Sequence, residues 1–286
     1  LNNSRDYQPV IIVGAGRSGT NMLRDILTSI ENFATWPCDE INYIWRHGNI
    51  SKRTDEFSIE DINEKNKRYI RKQFDKLNKK TDANFIVEKT CANSLRVDFV
   101  DRVIPDAKYI HIYRNPIDVV SSAKKRWTAS LDLAYILKKA RYVPITDLPY
   151  YALKYFTNRI YKFFTKEKRL AYWGPKFKGM DEVLKNKSLE ETCAIQWEKC
   201  VSNSIEAFNN INQSRTYHIS YENFVKNPVV ELDKILKFLE VDLDKKELKS
   251  LVKDVSTKSV GKGKRTLNQE VIKQIKSLTA NTYERL

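Results

Sequence analysis

The chain has no apolar run approaching the 18 or so residues that a membrane-spanning helix needs, although 41% of its residues are hydrophobic. Histidine is scarce, with 3 in 286 residues, and the four cysteines, Cys38, Cys91, Cys193 and Cys200, include no close pair. That pattern argues against a zinc module or a disulfide framework, and no metal is expected. Cys193 and Cys200 lie seven apart on a predicted helix, so their Cα atoms would be about 10 Å apart, beyond disulfide reach. Reduced thiols fit a cytoplasmic protein, with membrane association left open. The polar start, residues 1–6, lacks the features of a signal peptide. Because residue 1 is Leu rather than Met, a Golgi-lumenal protein with its upstream anchor removed is the other compartment considered. Internal repeats and low-complexity linkers are also missing, which favours one domain over 1–286.

Positive charge is abundant: 51 Lys and Arg against 36 Asp and Glu, a net charge of +15. Either a Lys-rich composition or an anionic ligand or surface explains this. The basic residues are spread along the chain without a recognisable nucleic-acid-binding module, so nucleic acid is not an expected partner. A peripheral contact with a membrane surface stays open, and the sequence does not fix the oligomeric state.

Four short apolar runs, 10–13, 85–87, 109–113 and 217–219, read as buried parallel strands, each followed by a helical pattern. This is the signature of an α/β fold: a three-layer sandwich around a central, mostly parallel sheet. Ser58 opens a basic amphipathic stretch reaching about Lys80, and Ser188 with Glu191 forms a capping box for a helix to about Phe208. Asn227-Pro228 supplies an N-cap and a proline at the first helical position. Residues 127–180 differ, mixing Trp127, Tyr135, Tyr142, Tyr150, Tyr151, Tyr155, Tyr172, Trp173 and other aromatics with Lys and Arg. They are read as a helical aromatic and basic insertion on the acceptor side, although packing of an amphipathic helical pair would also explain them.

The first strand runs into Gly14-Ala15-Gly16-Arg17-Ser18-Gly19-Thr20-Asn21 and then a helix. Such a turn builds an anion site, because the first N–H groups of a helix have no intrahelical partner. It fits both a dinucleotide fingerprint and the frame of a P-loop. The dinucleotide reading needs a second central strand ending in an acidic residue, but Pro37 falls where that strand should run. The triphosphate reading needs Lys and a Mg²⁺-binding hydroxyl after the last glycine, and Thr20-Asn21 replaces them. The loop keeps its backbone nest, with Arg17 as its charge, and suits a smaller anion. A second anion site follows the third strand, where Arg114 leaves the strand end and Ser122 lies two helical turns on.

Together, Arg17-Ser18-Gly19-Thr20 and Arg114…Ser122 resemble the two signatures of sulfotransferases that use 3′-phosphoadenosine 5′-phosphosulfate (PAPS). The resemblance extends to Tyr221-Glu222-Asn223-Phe224…Pro228 and to the late loop Lys258–Lys264, covering about five-sixths of the chain and excluding 127–180. It implies a P-loop-like phosphosulfate-binding loop, PAPS as donor, adenosine 3′,5′-bisphosphate (PAP) as product, and no metal. It assigns Gly14, Ala15, Gly16, Arg17, Ser18, Gly19, Thr20 and Asn21 to the phosphosulfate. Arg114, Ser122, Ser259, Gly261 and Lys262 go to the 3′-phosphate, and Tyr221 to the adenine side. It also implies Lys89 and Arg17 as donors near the bridging oxygen and Glu40 as general base, with Asp39 one residue away. If 40–47 is helical, His47 shares a face with Glu40 and is a second base. Glu88 is read as positioning Lys89, and His111, alternating with Ile110 and Ile112, as a core residue. The expected reaction is sulfuryl transfer to a hydroxyl of a glycan or glycolipid; alternatives are tyrosylprotein sulfation and a P-loop kinase.

Overall fold

The structure is a computed structural model and describes residues 6–128, 141–151, 153 and 172–286. Tyr135 and Tyr155, and most of the remaining aromatic insertion, lie outside the described residues.

Five parallel strands form one sheet: β1 (Gln8–Val13), β2 (Phe33–Ala34), β3 (Phe85–Lys89), β4 (Lys108–Tyr113) and β5 (Thr216–Ser220), in the order β2-β3-β1-β4-β5. β1 lies at the centre, with Ile11 opposite both Glu88 of β3 and Tyr109 of β4. Its side chains alternate between two cores. Val10 and Ile12 pack with Leu23, Phe224 and Leu236, whereas Ile11 and Val13 pack with Trp45, Phe74 and Phe99. A strand buried on both faces must be apolar throughout, as the sequence of β1 is. The expected sandwich of helices around a parallel sheet is therefore present.

The helices that matter for the site are α1 (Thr20–Leu27), α2 (Asn42–Trp45), α3 (Glu64–Thr81), α4 (Val97–Val103) and α5 (Pro116–Trp127). Leu189–Phe208 is the long helix expected after Ser188, and its capping box with Glu191 is formed. Pro228 opens Pro228–Leu239 at the first helical position; Asn227 sits at the N-cap without a side-chain capping bond.

Three local expectations need correction. Ser58 caps only a single 3₁₀ turn, Ile59–Asp61, and α3 starts at Glu64 with Asn63 and Asn66 as its reciprocal cap. A fifth strand exists: β2 has two residues and pairs with β3 at the sheet edge, ending before Trp36-Pro37. Residues 40–47 are not one helix, because only Asn42–Trp45 is helical. The Ile41 N–H is drawn instead to Thr90 Oγ1 at 3.2 Å, so a tertiary bond sets this backbone. The four cysteines are buried and unbridged, as expected. His111 is buried beside Phe208 and His218, and burial, then His218, pushes its pKa down to about 3. That is a core role.

Candidate active site

The chain crosses from one side of β1 to the other between β3 and β4, so the carboxyl ends of these three strands open onto one crevice. A cavity of about 1120 Å³ lies there. Gly16, Arg17, Gly19, Thr20 and Asn21 line it from the first turn, and Glu40 and Lys89 from the β3 side. Arg114, Ser122, Tyr221, Ser259 and Lys262 line it from the other side. The structure thus unites the residues that the sequence placed at two separate anion sites. Gly14, Ala15, Ser18 and Gly261 are not on its surface.

The loop after β1 is shaped by close approach. A Cβ on Gly14 would lie 2.3 Å from the carbonyl oxygen of Ile112 in β4, so only glycine fits against that strand. Gly19 has φ +95° and faces the Tyr221 ring, which a Cβ would meet at 2.5 Å. Arg17 also has positive φ, at 74°, a conformation that non-glycine residues seldom hold outside functional turns. α1 then begins at Thr20 without a side-chain cap or an acidic residue in its first turn. Its leading N–H groups are therefore free of competing carboxylates.

Arg17 Nε donates to Ser122 Oγ at 2.9 Å, joining the two anion signatures directly. Arg114 donates to the carbonyls of Arg17 at 3.2 Å and Ser259 at 2.8 Å, and its guanidinium stacks 4.2 Å over the Tyr221 ring. The Tyr221 hydroxyl and Ser259 Oγ are 2.6 Å apart. Burial, followed by repulsion from Arg126, lowers the Arg17 pKa, with Arg114 adding to the effect. Crowded cations of this kind favour an anion between them. The polar atoms agree: Ser18 Oγ and Arg114 Nε are buried without a hydrogen-bond partner among the described residues. Buried orphan donors at both anion signatures suit a ligand with two anionic ends. The late loop is held by Asp118, whose carboxylate accepts the N–H groups of Gly261 at 2.7 Å and Gly263 at 2.6 Å. The Gly261 N–H is therefore occupied, while Lys262 projects into the cavity lining.

On the opposite wall, Glu40 Oε1 accepts from Lys89 Nζ and from the Cys91 N–H, both at 3.2 Å. Lys89 ends β3 with its side chain only 1% exposed, whereas that of Glu40 is 23% exposed at the cavity. Burial disfavours the Lys89 ammonium, but Glu40, with smaller contributions from Cys91 and Asp39, holds the pKa above its ordinary value. Burial also raises the Cys91 thiol, so it stays protonated rather than serving as a nucleophile. Behind the pair, Glu88 accepts from Thr90 Oγ1 and from Asn93 Nδ2, and Thr90 Oγ1 accepts the Ile41 N–H. Burial pushes the Glu88 pKa up to about 7. Glu88 thus braces the turn carrying Glu40 as well as adjoining Lys89.

His47 does not join them. It lines a different cavity, behind α2, where Nδ1 is 2.9 Å from Asp147 Oδ2. Asp39, the alternative to Glu40 as base, takes a positioning place instead, and Lys125 and Arg126 were not singled out by the sequence. Asp39 accepts from Asn21 Nδ2 at 3.0 Å and from Arg24 Nη1 at 2.9 Å, tying the Glu40 segment to α1. Trp173 approaches Gly16, and Lys125 and Arg126 continue the cationic wall. Arg126 is Ser122 plus one helical turn, a spacing that could have revealed it. Trp173 belongs to the aromatic insertion that the sequence placed on the acceptor side. Among the described residues, no group of three His, Cys, Asp or Glu is placed to hold a metal, and no helix is long and apolar enough to cross a membrane.

These features define a nucleotide-type anion cleft on a parallel α/β sheet. The sulfotransferase domain family matches residues 7–284, and the chain belongs to that family. No curated protein matches it in sequence. Among solved structures it resembles sulfotransferase STF9 from Mycobacterium avium, at 10% identity and TM-score 0.56, over 99% of this chain and 78% of that one. A sulfotransferase from Alicyclobacillus acidocaldarius aligns at 14% identity and TM-score 0.54, over 98% and 94%. Mouse sulfotransferase SULT7A1 complexed with PAP aligns at 13% identity and TM-score 0.51, over 98% and 85%.

Proposed function

We propose that this single domain transfers the sulfuryl group of PAPS to a hydroxyl of a glycan or glycolipid, releasing PAP. The observation that carries the reading is the Glu40–Lys89 pair on the wall of the cavity that also holds Arg17, Arg114 and Ser122. A carboxylate and an ammonium in contact, beside a two-ended anion cleft, are the two groups an in-line sulfuryl transfer asks of a protein.

The donor fits the cavity lining already described: the leading N–H groups of α1 take the phosphosulfate end, and Arg114, Ser122, Ser259 and Lys262 the 3′-phosphate. Tyr221, stacked on Arg114, takes the adenine side. When bound, PAPS supplies an activated sulfur on a phosphate leaving group. Glu40 removes the proton of the acceptor hydroxyl, and its contact with Lys89 holds the carboxylate at the cavity wall. Lys89 and Arg17 hold the negative charge that grows on the leaving oxygen. Asp39, clamped by Asn21 and Arg24, and Thr90, bonded to Ile41, keep Glu40 in register. The segment Tyr172–Pro175, on the far rim of the cavity, supplies aromatic surface for a sugar face. Exchange of residues 127–180 is expected to change acceptor choice.

Glu40→Gln tests this directly. Turnover should fall by ~10²–10⁴, the usual contribution of a general base, while PAP affinity by calorimetry stays within about twofold. Unchanged turnover would remove Glu40 from the chemistry.

A further inference from the structure

A second cavity, of about 760 Å³, lies on the other side of α2 and shares no lining residue with the first. α2 is the wall between them: Tyr43 faces the first cavity, and His47, just beyond the helix end, faces the second. Four residues of helix correspond to about 6 Å along the axis, so the two cavities are near neighbours.

The floor of this second cavity is a built polar site. The His47 and Asp147 side chains are 12% and 6% exposed, with Nδ1 and Oδ2 2.9 Å apart. The His47 ring packs against Tyr69 at 4.0 Å between centroids. Asp147 thereby fixes the imidazole orientation and leaves Nε2 as its other polar atom. Asp147 is the sole carboxylate among the described lining residues, and His47 already engages it. Lys65 and Lys76 from α3 and Arg141 also line the cavity. All three are exposed, and none makes an ion pair among the described residues. A cavity with three exposed cations unpaired among the described residues, a fixed imidazole and aromatic faces suits a carboxylate or sulfate carried on a sugar.

We infer that this cavity is an acceptor subsite for an acidic sugar unit, engaging its carboxylate or sulfate a short distance along the chain from the hydroxyl presented to Glu40. This rests on the reading of the protein as a glycan sulfotransferase and narrows the acceptor to a polyanionic one. His47 then serves in acceptor binding rather than as a base.

The test uses the whole protein saturated with PAP. Calorimetry compares an acidic tetrasaccharide of alternating hexuronate and N-acetylhexosamine with a neutral N-acetylhexosamine tetramer. In Lys76→Glu/Arg141→Glu, a double variant of exposed positions, affinity for the acidic probe should fall by about tenfold or more, as expected for losing two charge-assisted contacts. Affinity for PAP should be unchanged, and the parent protein should prefer the acidic probe. His47→Gln should weaken the acidic probe by a smaller factor with the same PAP affinity. Equal binding of both tetrasaccharides by the parent, or an acidic-probe affinity unaltered by the double variant, would overturn the subsite. Loss of PAP affinity in step with the probe would also overturn it, since the two cavities would then not be independent. If the double variant selectively loses the acidic probe but no sulfuryl transfer to any glycan is seen, the subsite stands and the glycan-transfer reading falls.

Discussion

The two cavities flanking α2 are both cationic, yet they are assembled in opposite ways. The first cavity is lined in large part by short stretches at strand ends, within residues 16–22 after β1, 89–92 at the end of β3 and 114–126 after β4, to which residues 39–43, 172–175, Tyr221, Ser259 and Lys262 are added. Much of it is backbone shape, as the 2.3 Å approach of a Gly14 Cβ to Ile112 and the positive φ of Arg17 and Gly19 make plain. The cavity behind α2 is built from side chains scattered between positions 44 and 147, and its floor is a pair 100 residues apart. A cleft made of backbone at strand ends leaves motifs in the sequence, whereas one made by tertiary pairing leaves none. On the proposed reading, the difference separates a demanding geometry for one donor from a surface free to vary with the acceptor.

The largest effect that would sharpen this contrast is the loss of turnover in Glu40→Gln, because it removes a reacting group while leaving the donor cleft whole. Next comes a structural connection between the two walls. Asp55 binds Arg46 at 2.7 Å, lies 3.8 Å from Arg96, and accepts the Lys176 N–H at 2.9 Å, bracing the segment that carries Trp173. Asp55→Asn would leave two buried guanidiniums short of a counter-charge and should cost about 3–5 kcal/mol in urea unfolding. Burial alone would raise the Asp55 carboxyl, but Arg96 and Arg46 hold it below its ordinary value. Its contribution is therefore complete above the ordinary carboxylate pKa of about 4 and is lost as pH falls through that value toward the lowered one. The variant should show a correspondingly weaker loss of stability below pH 4.

Arg114→Ala separates the two ends of the donor. PAP affinity should fall about 10–100-fold, the worth of a charge-assisted contact or two. Affinity for adenosine 5′-monophosphate, which lacks the 3′-phosphate, should change far less. Equal losses would mean that Arg114 acts only through its bonds to the Arg17 and Ser259 carbonyls. The smallest effect expected is on the donor in His47→Gln: PAP affinity should not move, and a change would break the independence of the two cavities.

The sequence revealed the sheet well, and it singled out most of the residues that folding brings to the first cavity. β1, β3 and β4 were legible because strands buried on both faces are largely apolar, and β5, at the edge with His218 exposed, only as a short run before a helical pattern. Arg17, Arg114 and Ser122 were legible because they follow strand ends at fixed spacing. Glu40 was reached by resemblance, and its contact with Lys89 required folding. The 40–47 segment misled because helical spacing was applied where Thr90 and Cys91 capture the backbone and carboxylate instead. The Ser58 start misled because Asp61 satisfies the same cap in a single turn. β2, at two residues, is too short to show any periodicity. Asp55 and Asp147 were unreadable for one reason: each acts through a partner distant in sequence, and an isolated Asp carries no pattern. Asp39 was noticed only as a neighbour of Glu40, and its bonds to Asn21 and Arg24 needed the fold.

Transfer of labelled sulfur from PAPS in the presence of EDTA, using glycan acceptors and comparing the parent with Glu40→Gln, tests the central claim most directly. The account predicts label on the glycan that is undiminished by EDTA and lost in the variant. Absence of label from PAPS, combined with Mg²⁺-dependent phosphate transfer from ATP, would contradict it and return the glycine-rich loop to a triphosphate.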